Sequence, residues 1–100
     1  MLNTMIILRI EHAITDFDTW AAAFSGFADA RARAGVHHHV VRRPVDDPDF
    51  VAIDLSFDDV AAATSFETFL RTTVWARPEN SPALRGEPVT SILREEVVAS

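Results

Sequence analysis

The sequence predicts a single α+β domain of 100 residues, in which four strands and two helices follow the order β-α-β-β-α-β. Three observations support this prediction. Four segments are rich in β-branched or alternating apolar residues, two segments carry apolar residues at helical spacing, and Pro, Gly and Asp residues separate them. Two right-handed strand-helix-strand units of this length form a four-stranded antiparallel sheet with both helices on one face.

The first half of the chain predicts a strand, a long helix and a second strand. Residues 4–12, TMIILRIEH, are β-branched and alternate toward their end. Residues 15–35, TDFDTWAAAFSGFADARARAG, predict one helix whose apolar stripe consists of Phe17, Trp20, Ala21, Phe24, Phe27, Ala28 and Ala32. Thr15 or Asp16 suits the N-cap, and Gly35 suits a left-handed C-terminal stop. Residues 36–43, VHHHVVRR, predict the second strand.

The second half predicts a turn, a strand, a helix, a loop and a last strand. The turn is PVDDPD, residues 44–49, and the clearly alternating strand is FVAIDLSF, residues 50–57. Residues 58–75 predict helix two, capped by Asp58 or Asp59, with its apolar stripe ending at Thr73. Three prolines and a glycine predict a loop over residues 76–88, and residues 89–98 predict strand four. Strands one and three are the most apolar and are predicted to be central.

Strand alternation divides the sheet residues between two faces. The face toward the helices is predicted to carry His12 at its rim and the apolar set Ile6, Leu8, Ile10, Val51, Ile53, Leu55 and Phe57. The opposite, open face mixes apolar and charged side chains, which is typical of an interface. We predict a homodimer formed through this open face, which includes Arg9, Glu11, Asp54 and Arg94, with Ile92 beside them.

Composition and charge exclude several classes of function. The net charge is −6 without a long basic block, so we expect neither a nucleic-acid partner nor a membrane partner. The chain has no Cys and no Lys, which excludes disulfides, thiolate nucleophiles and Schiff bases. We expect a cytoplasmic location. One of Arg42 and Arg43 is predicted to pair with a carboxylate of the following turn, from Asp46, Asp47 or Asp49.

The segments DFDTWAAAF, DDPDFVAIDLSFDD and the stripe of Phe66, Phe69 and Leu70 resemble the dimeric α/β-barrel superfamily, whose protomers are ferredoxin-like. The small bacterial antibiotic-biosynthesis-monooxygenase-like proteins are the most similar in pattern. The resemblance covers nearly the whole chain, but it consists of caps, turns and stripes, which specify a fold and not a reaction.

The resemblance implies a pocket for a small aromatic ligand between sheet and helices, and a homodimer. Members of the superfamily include cofactor-free monooxygenases, haem-degrading proteins, cyclases and isomerases. This chain departs from the characterised monooxygenases because it has no Tyr. The haem-degrading members ligate iron with a histidine on the second helix, and helix two of this chain has none, so we expect no haem. We expect no other cofactor either.

The run His37-His38-His39 and the separate His12 are the candidate catalytic or ligand-binding histidines. Strand period two places His37 and His39 on one face and His38 on the other, so the three cannot hold one metal ion, and we expect none. Either set can face the helix-side space, depending on a register that the sequence leaves open. We therefore name His12 and His38 as candidate general bases and His39 as a candidate pocket residue. Rim or edge histidines without catalytic function are the alternative.

Four large aromatic residues are candidate walls of the predicted pocket: Trp20, Phe24, Phe66 and Trp75. Ordinary core packing is the alternative for each of them, because helical apolar stripes usually face a core. Two hypotheses about function follow. The chain is either a cofactor-independent monooxygenase or cyclase that acts on a small aromatic substrate, or a non-catalytic homodimer that binds a small ligand or has a structural role.

Overall fold

The computed structural model describes residues 4–99; Met1, Leu2, Asn3 and Ser100, which the predicted single domain includes, lie outside the described residues. The strands are β1 (Ile6–Ile14), β2 (His38–Arg42), β3 (Phe50–Phe57) and β4 (Leu84–Arg94). The helices are α1 (Phe17–Gly26), α2 (Ala28–Ala34) and α3 (Val60–Phe69), and α3 continues into a π-helical turn, Leu70–Val74.

The four strands form one antiparallel sheet in the order β2-β3-β1-β4, which confirms the predicted α+β class and the central positions of β1 and β3. Alternating burial along both central strands shows that only one face of the sheet is fully covered. Leu8 lies opposite Leu55 in register, and both are almost completely buried. The core is therefore the layer between this face and the helices.

Both predicted helix starts are present, and at each start one of the two candidate residues is the N-cap. Oδ1 of Asp16 accepts a hydrogen bond from the backbone N–H of Thr19, and Oδ1 of Asp59 accepts one from Ala62, each at 2.8 Å. Each carboxylate satisfies an N–H group that has no partner in the first turn of its helix. Gly35 ends α2 with φ of 91°, the left-handed conformation that glycine adopts without a Cβ penalty.

The prediction of one continuous helix over residues 15–35 is wrong, because the chain breaks at Phe27 between α1 and α2. Gly26 is a poor helix former and precedes the break. The break rotates the second helix, so Ala28 and Ala32, which the predicted stripe placed inside, are exposed. Arg31 is buried in their place.

Helix two also departs from a regular α-helix. The N–H of Trp75 donates to the carbonyl oxygen of Leu70 at 2.7 Å, which is the i to i+5 bond of a π turn. The turn exposes Thr73, which the predicted stripe placed inside, and buries Val74. Leu70, Val74 and Trp75 consequently face the sheet together.

Strand β4 begins at Leu84, five residues before the predicted start, and the predicted loop residues Gly86–Pro88 form a bulge inside it. The bulge lies opposite His12, which is the position where the β1–β4 register shifts.

The register also corrects the face predicted for two residues. Ile92 pairs with Leu8 and Arg94 with Ile6, so both belong to the helix-side face of the sheet. The open face of β4 carries Val89, Ser91 and Leu93 instead.

Candidate functional site

A cavity of about 80 Å³ lies between the helix-side face of the sheet and the helices. Its walls are mainly apolar and come from β1, β3, the start of β4, α1, α2, α3, the π turn and the loop before β4. A single ordered water needs roughly 10–15 Å³ on this measure and an apolar cavity that binds benzene has about 150 Å³, so an aromatic ligand requires side chains of the wall to shift. Five of the predicted site residues line it: His12, Trp20, Phe24, Phe66 and Trp75.

The aromatic wall on the α1 side is continuous. Trp20 stacks on Phe24 with ring centroids 4.9 Å apart and 24° between the planes, and Phe17 extends the stack from the other side of Trp20. His39 contacts the same stack, with its ring edge-on to Phe24 at 5.2 Å. Stacked aromatic side chains of this kind form a flat, rigid surface that suits a planar ligand.

His12 is the titratable histidine of the cavity wall, and only 5% of it is exposed. Its Nδ1 lies 2.9 Å from the carbonyl oxygen of Ala13. Because a carbonyl oxygen can only accept a hydrogen bond, Nδ1 carries the proton and Nε2 is the free acceptor. Burial lowers the pKa of His12 from its ordinary value of 6.5, and the bond to Ala13 opposes part of that effect. The imidazole is therefore neutral at pH 7.

Nε2 of His12 has no hydrogen-bond partner among residues 4–99. In that part of the chain, no fully buried side-chain nitrogen or oxygen is left without a partner, so Nε2 is not sealed from solvent-sized space. The ring also lies edge-on to Trp75, with centroids 6.5 Å apart. This arrangement presents one basic nitrogen to a ligand held between aromatic walls.

The β2 register settles the positions of the histidine run. His38 pairs with Ser56 and lies on the open face, whereas His39 pairs with Leu55 and lies on the helix side. The prediction of His38 as a base in the pocket is therefore wrong, because its side chain is on the opposite side of the sheet. His39 is on the predicted side, but it packs on the outer side of Phe24 and does not line the cavity. Nε2 of His37 lies 3.0 Å from Asp58.

Arg31, which is not among the site residues predicted from the sequence, lines the cavity and is only 8% exposed. Its guanidinium donates to the carbonyl oxygen of Phe24, and Cζ lies 3.7 Å from the centroid of the Phe24 ring. Desolvation lowers the pKa of Arg31, which nevertheless stays charged. Arg31 and Arg33 lie in the last turn of a helix, where cations suit the helix dipole, and only the break at Phe27 turns Arg31 inward.

The loop before β4 adds two further polar residues to the cavity wall, Asn80 and Ser81. Asn80 donates through Nδ2 to the carbonyl oxygen of Thr73 at 2.9 Å, and the Ser81 hydroxyl donates to Arg77 at 3.0 Å. The Asn80 bond holds the loop against the end of the π turn, and the Ser81 bond lies within the loop. A proline-rich loop that the sequence presents as a connection is thus part of the site.

The open face contains an ion-pair network instead of catalytic groups. Arg9 lies directly opposite Asp54 and donates two hydrogen bonds of 2.8 Å to its carboxylate, and Arg42 adds a third at 3.3 Å. The hydrogen bond from Arg9 is the main reason that the pKa of Asp54 is lowered. The pairing predicted between the arginines and the turn carboxylates is wrong, since Arg43 instead contacts the Pro48 carbonyl oxygen and the Phe17 ring. Glu11 also lies on the open face.

Between residues 4 and 99, no three His, Asp or Glu side chains gather as the ligands of a metal ion would. None of the helices in the same part of the chain is long and apolar enough to cross a membrane.

Fold and cavity together define a ferredoxin-like α+β protein with an aromatic-walled cavity between helices and sheet. A protein of Bordetella bronchiseptica named as a candidate antibiotic biosynthesis monooxygenase superposes with a TM-score of 0.74 at 12% identity, over 94% of this chain and 99% of that one. A Nitrosomonas europaea protein with the same designation gives 0.68 at 10% identity, over 95% and 93%. A dimeric ferredoxin-like protein from an uncultured marine organism gives 0.68 at 11%, over 96% and 99%.

At these identities the shared property is the fold, which confirms the resemblance predicted from caps, turns and stripes at that level. No family model matches the chain. No curated protein matches its sequence.

Proposed function

We propose that the cavity is the active site of an enzyme that removes a proton from a small aromatic substrate and lets the resulting carbanion react with O₂, without a bound cofactor. The observation that carries this proposal is the placement of His12. His12 lines the cavity together with Trp20, Phe24 and Trp75, and its Nε2 has no hydrogen-bond partner among residues 4–99. The names of the two monooxygenase-like neighbours favour oxygen as the second reactant.

The proposed chemistry begins with a substrate CH₂ group that is acidified by a neighbouring aromatic ketone or phenol. Nε2 of neutral His12 takes one proton, and the carbanion forms a C–O bond with O₂. Protonation gives a hydroperoxide, which loses water and leaves a carbonyl group. The balance is CH₂ plus O₂ giving C=O plus H₂O, so no external reductant is needed. The flat walls hold the ring and exclude bulk water.

A cyclase would use the same proton abstraction, with the carbanion attacking a carbonyl group of its own molecule instead of O₂. The site geometry is common to both reactions, because His12 acts before the two diverge. Oxygen consumption distinguishes them. Binding without turnover would instead support the non-catalytic ligand-binding alternative.

Oxygen uptake with anthrone-like phenols tests the proposal. We expect wild-type protein to consume O₂ in proportion to ketone formed, and His12→Asn to lower the rate about 10²- to 10⁴-fold, the usual contribution of a positioned base. The matched control is His38→Asn, which changes a histidine on the opposite face of the sheet. Equal rates in wild type and His12→Asn would refute the assignment of His12.

We also propose that two copies of the chain pair through the open faces of their sheets. Val89 and Leu93 are large apolar residues on that face, and they are 65% and 39% exposed in the single chain. They flank the Arg9–Asp54 pair on the neighbouring strands. Apolar side chains next to internally paired charges suit a symmetric interface, because a partner can cover the apolar groups without leaving a charge unpaired. The dimeric neighbour of the same fold supports this assembly.

A further inference from the structure

Arg31 places a permanent positive charge in the cavity wall without an opposite charge beside it. Within residues 4–99, no Asp or Glu oxygen lies within 4.0 Å of its guanidinium, although the ion pairs of Arg9, Arg42 and Arg71 are present in the same chain. Its polar contact is the Phe24 carbonyl oxygen, and its apolar contact is the Phe24 ring. One bond leaves most of the five guanidinium N–H groups available.

Such a cation is costly to keep in a folded chain. Desolvating a charge is unfavourable unless an opposite charge and hydrogen bonds compensate for it. A neutral carbonyl group and a ring face compensate in part. The chain as a whole is acidic, with a net charge of −6, so its overall field does not attract anions. Any preference of this cavity for an anion must therefore come from Arg31 itself.

We infer that the ligand of this cavity is a small aromatic compound that carries a carboxylate, which Arg31 binds while the aromatic walls hold the ring. This inference rests on the proposed use of the cavity as a substrate site, and it names the substrate class. A carboxylate is ionised throughout the neutral pH range, as the guanidinium is, whereas a simple phenol is not. The planar fork of Arg also matches a carboxylate with two parallel hydrogen bonds.

The placement of the two charged or basic groups agrees with this division of roles. Arg31 enters the wall from α2, and His12 enters it from β1, opposite the bulge in β4. Arg31 is the binding residue for the anion, and His12 remains free to accept a proton. A purely structural role is the competing explanation, since Arg31 also ties α2 to the last turn of α1 through the Phe24 carbonyl oxygen.

Binding of matched acid and amide pairs separates these explanations. The probes are benzoate against benzamide and 1-naphthoate against 1-naphthamide, which differ in charge but hardly in shape. Affinities are measured by calorimetry and by quenching of tryptophan fluorescence, because both tryptophans of the chain, Trp20 and Trp75, line the cavity. We expect wild-type protein to bind each carboxylate about 10- to 100-fold more tightly than its amide, as for a charge-assisted hydrogen bond.

Arg31→Met keeps an apolar side chain of similar length and is expected to reduce this preference to within about twofold, since the charge-assisted bonds are lost. The matched control is Arg33→Met, which removes an exposed charge two residues away and should keep the full preference. Circular dichroism confirms that each variant is folded. Should Arg31→Met fail to fold, Arg31→Lys keeps the charge but loses the fork, and an intermediate preference is expected.

Any of four results would overturn the inference. Two concern wild-type protein: equal affinity for acid and amide, or no carboxylate binding at millimolar concentration. Two concern the variants: a preference that persists in Arg31→Met, or one that is undiminished in Arg31→Lys. The outcome of the oxygen-uptake experiment is independent of the outcome of this binding experiment. An Arg31-dependent carboxylate preference in a protein that consumes no O₂ would support the inference and refute the proposed oxygenation. Oxygen uptake with neutral phenols and no carboxylate preference would support the proposed oxygenation and refute the inference.

Discussion

Nδ1 of His12 lies 2.9 Å from the carbonyl oxygen of Ala13, the next residue along β1. The bond fixes which ring nitrogen carries the proton, and it does so at the position where β4 bulges away from β1. Bulges are frequent beside active sites because they re-aim side chains. The local backbone thus orients the base without a second side chain, unlike sites in which a carboxylate orients the histidine.

The first prediction concerns stability and pH. Because burial lowers the pKa of His12 below 6.5, the unfolded chain binds a proton at a higher pH than the folded chain does. This contribution to the free energy of unfolding is complete above pH 6.5 and is lost as pH falls from 6.5 through the folded pKa. Urea unfolding between pH 5 and pH 8 measures it.

His12→Gln should remove this part of the pH dependence, since glutamine does not titrate. His38→Gln retains His12 and should keep it. An unchanged slope between pH 5 and pH 6.5 in His12→Gln would show that the histidine is not desolvated in solution. The rate of the proposed reaction should fall over the same pH interval, because protonated His12 cannot act as a base.

The second prediction uses the cavity wall. Ala23 on α1 lines the cavity, while the adjacent Ala22 is exposed. Ala23→Leu adds three carbons to the cavity side and should abolish binding of aromatic ligands, with unfolding free energy changed by less than about 1.5 kcal/mol because free volume is available. Ala22→Leu is the matched control and should leave binding intact. Calorimetric titration and thermal unfolding provide the two measurements.

The order of elements and the aromatic wall could be predicted because strand alternation, helical spacing and caps are local signals. Trp20 and Phe66 lie on stripes that face a core in any arrangement of this fold. Arg31 could not be predicted, since it turns inward only because α1 and α2 break at Phe27, and exposed arginines at a helix end show the same local pattern. The sequence left the side of His38 open and assigned Arg94 to the wrong side, because register is a pairing property between distant strands and a shift of one residue reverses every face.

The third prediction compares neighbouring residues on opposite faces of β1. Leu8 is fully buried among the helix-side core residues, and Ile7 lies on the open face and is partly exposed. Leu8→Ala should lower the unfolding free energy by about 3 kcal/mol through lost burial and a residual cavity. Under dilute conditions that favour single chains, Ile7→Ala should cost roughly 1 kcal/mol. Chemical denaturation measures both, and equal losses would contradict the assignment of the two faces.

The fourth prediction concerns the Arg9–Asp54 pair. Their two hydrogen bonds of 2.8 Å join directly opposed residues, but the Arg9 side chain is 42% exposed, so solvent screens the attraction. A double-mutant cycle with Arg9→Gln and Asp54→Asn should give a coupling free energy of about 1 kcal/mol, the upper end for exposed pairs, because the geometry is bidentate. A coupling indistinguishable from zero would show that the pair does not persist in solution.

The fifth prediction tests the dimer through Leu93, which pairs with Ile7 on the open face. Wild-type protein should elute with twice the 11.1 kDa chain mass in size-exclusion chromatography with light scattering. Leu93→Glu places a carboxylate in the proposed interface, where burial of an unpaired charge opposes association, and should shift the protein to a single-chain mass.

The matched control is Val45→Glu, because Val45 is completely exposed in the turn between β2 and β3. This variant carries the same change of charge and should stay dimeric. Comparison of the masses of the two variants identifies the surface that forms the interface as well as the number of chains. Loss of the dimer in Val45→Glu but not in Leu93→Glu would place the interface away from the sheet, and a single-chain mass for wild type would leave Val89 and Leu93 as exposed apolar residues without a partner.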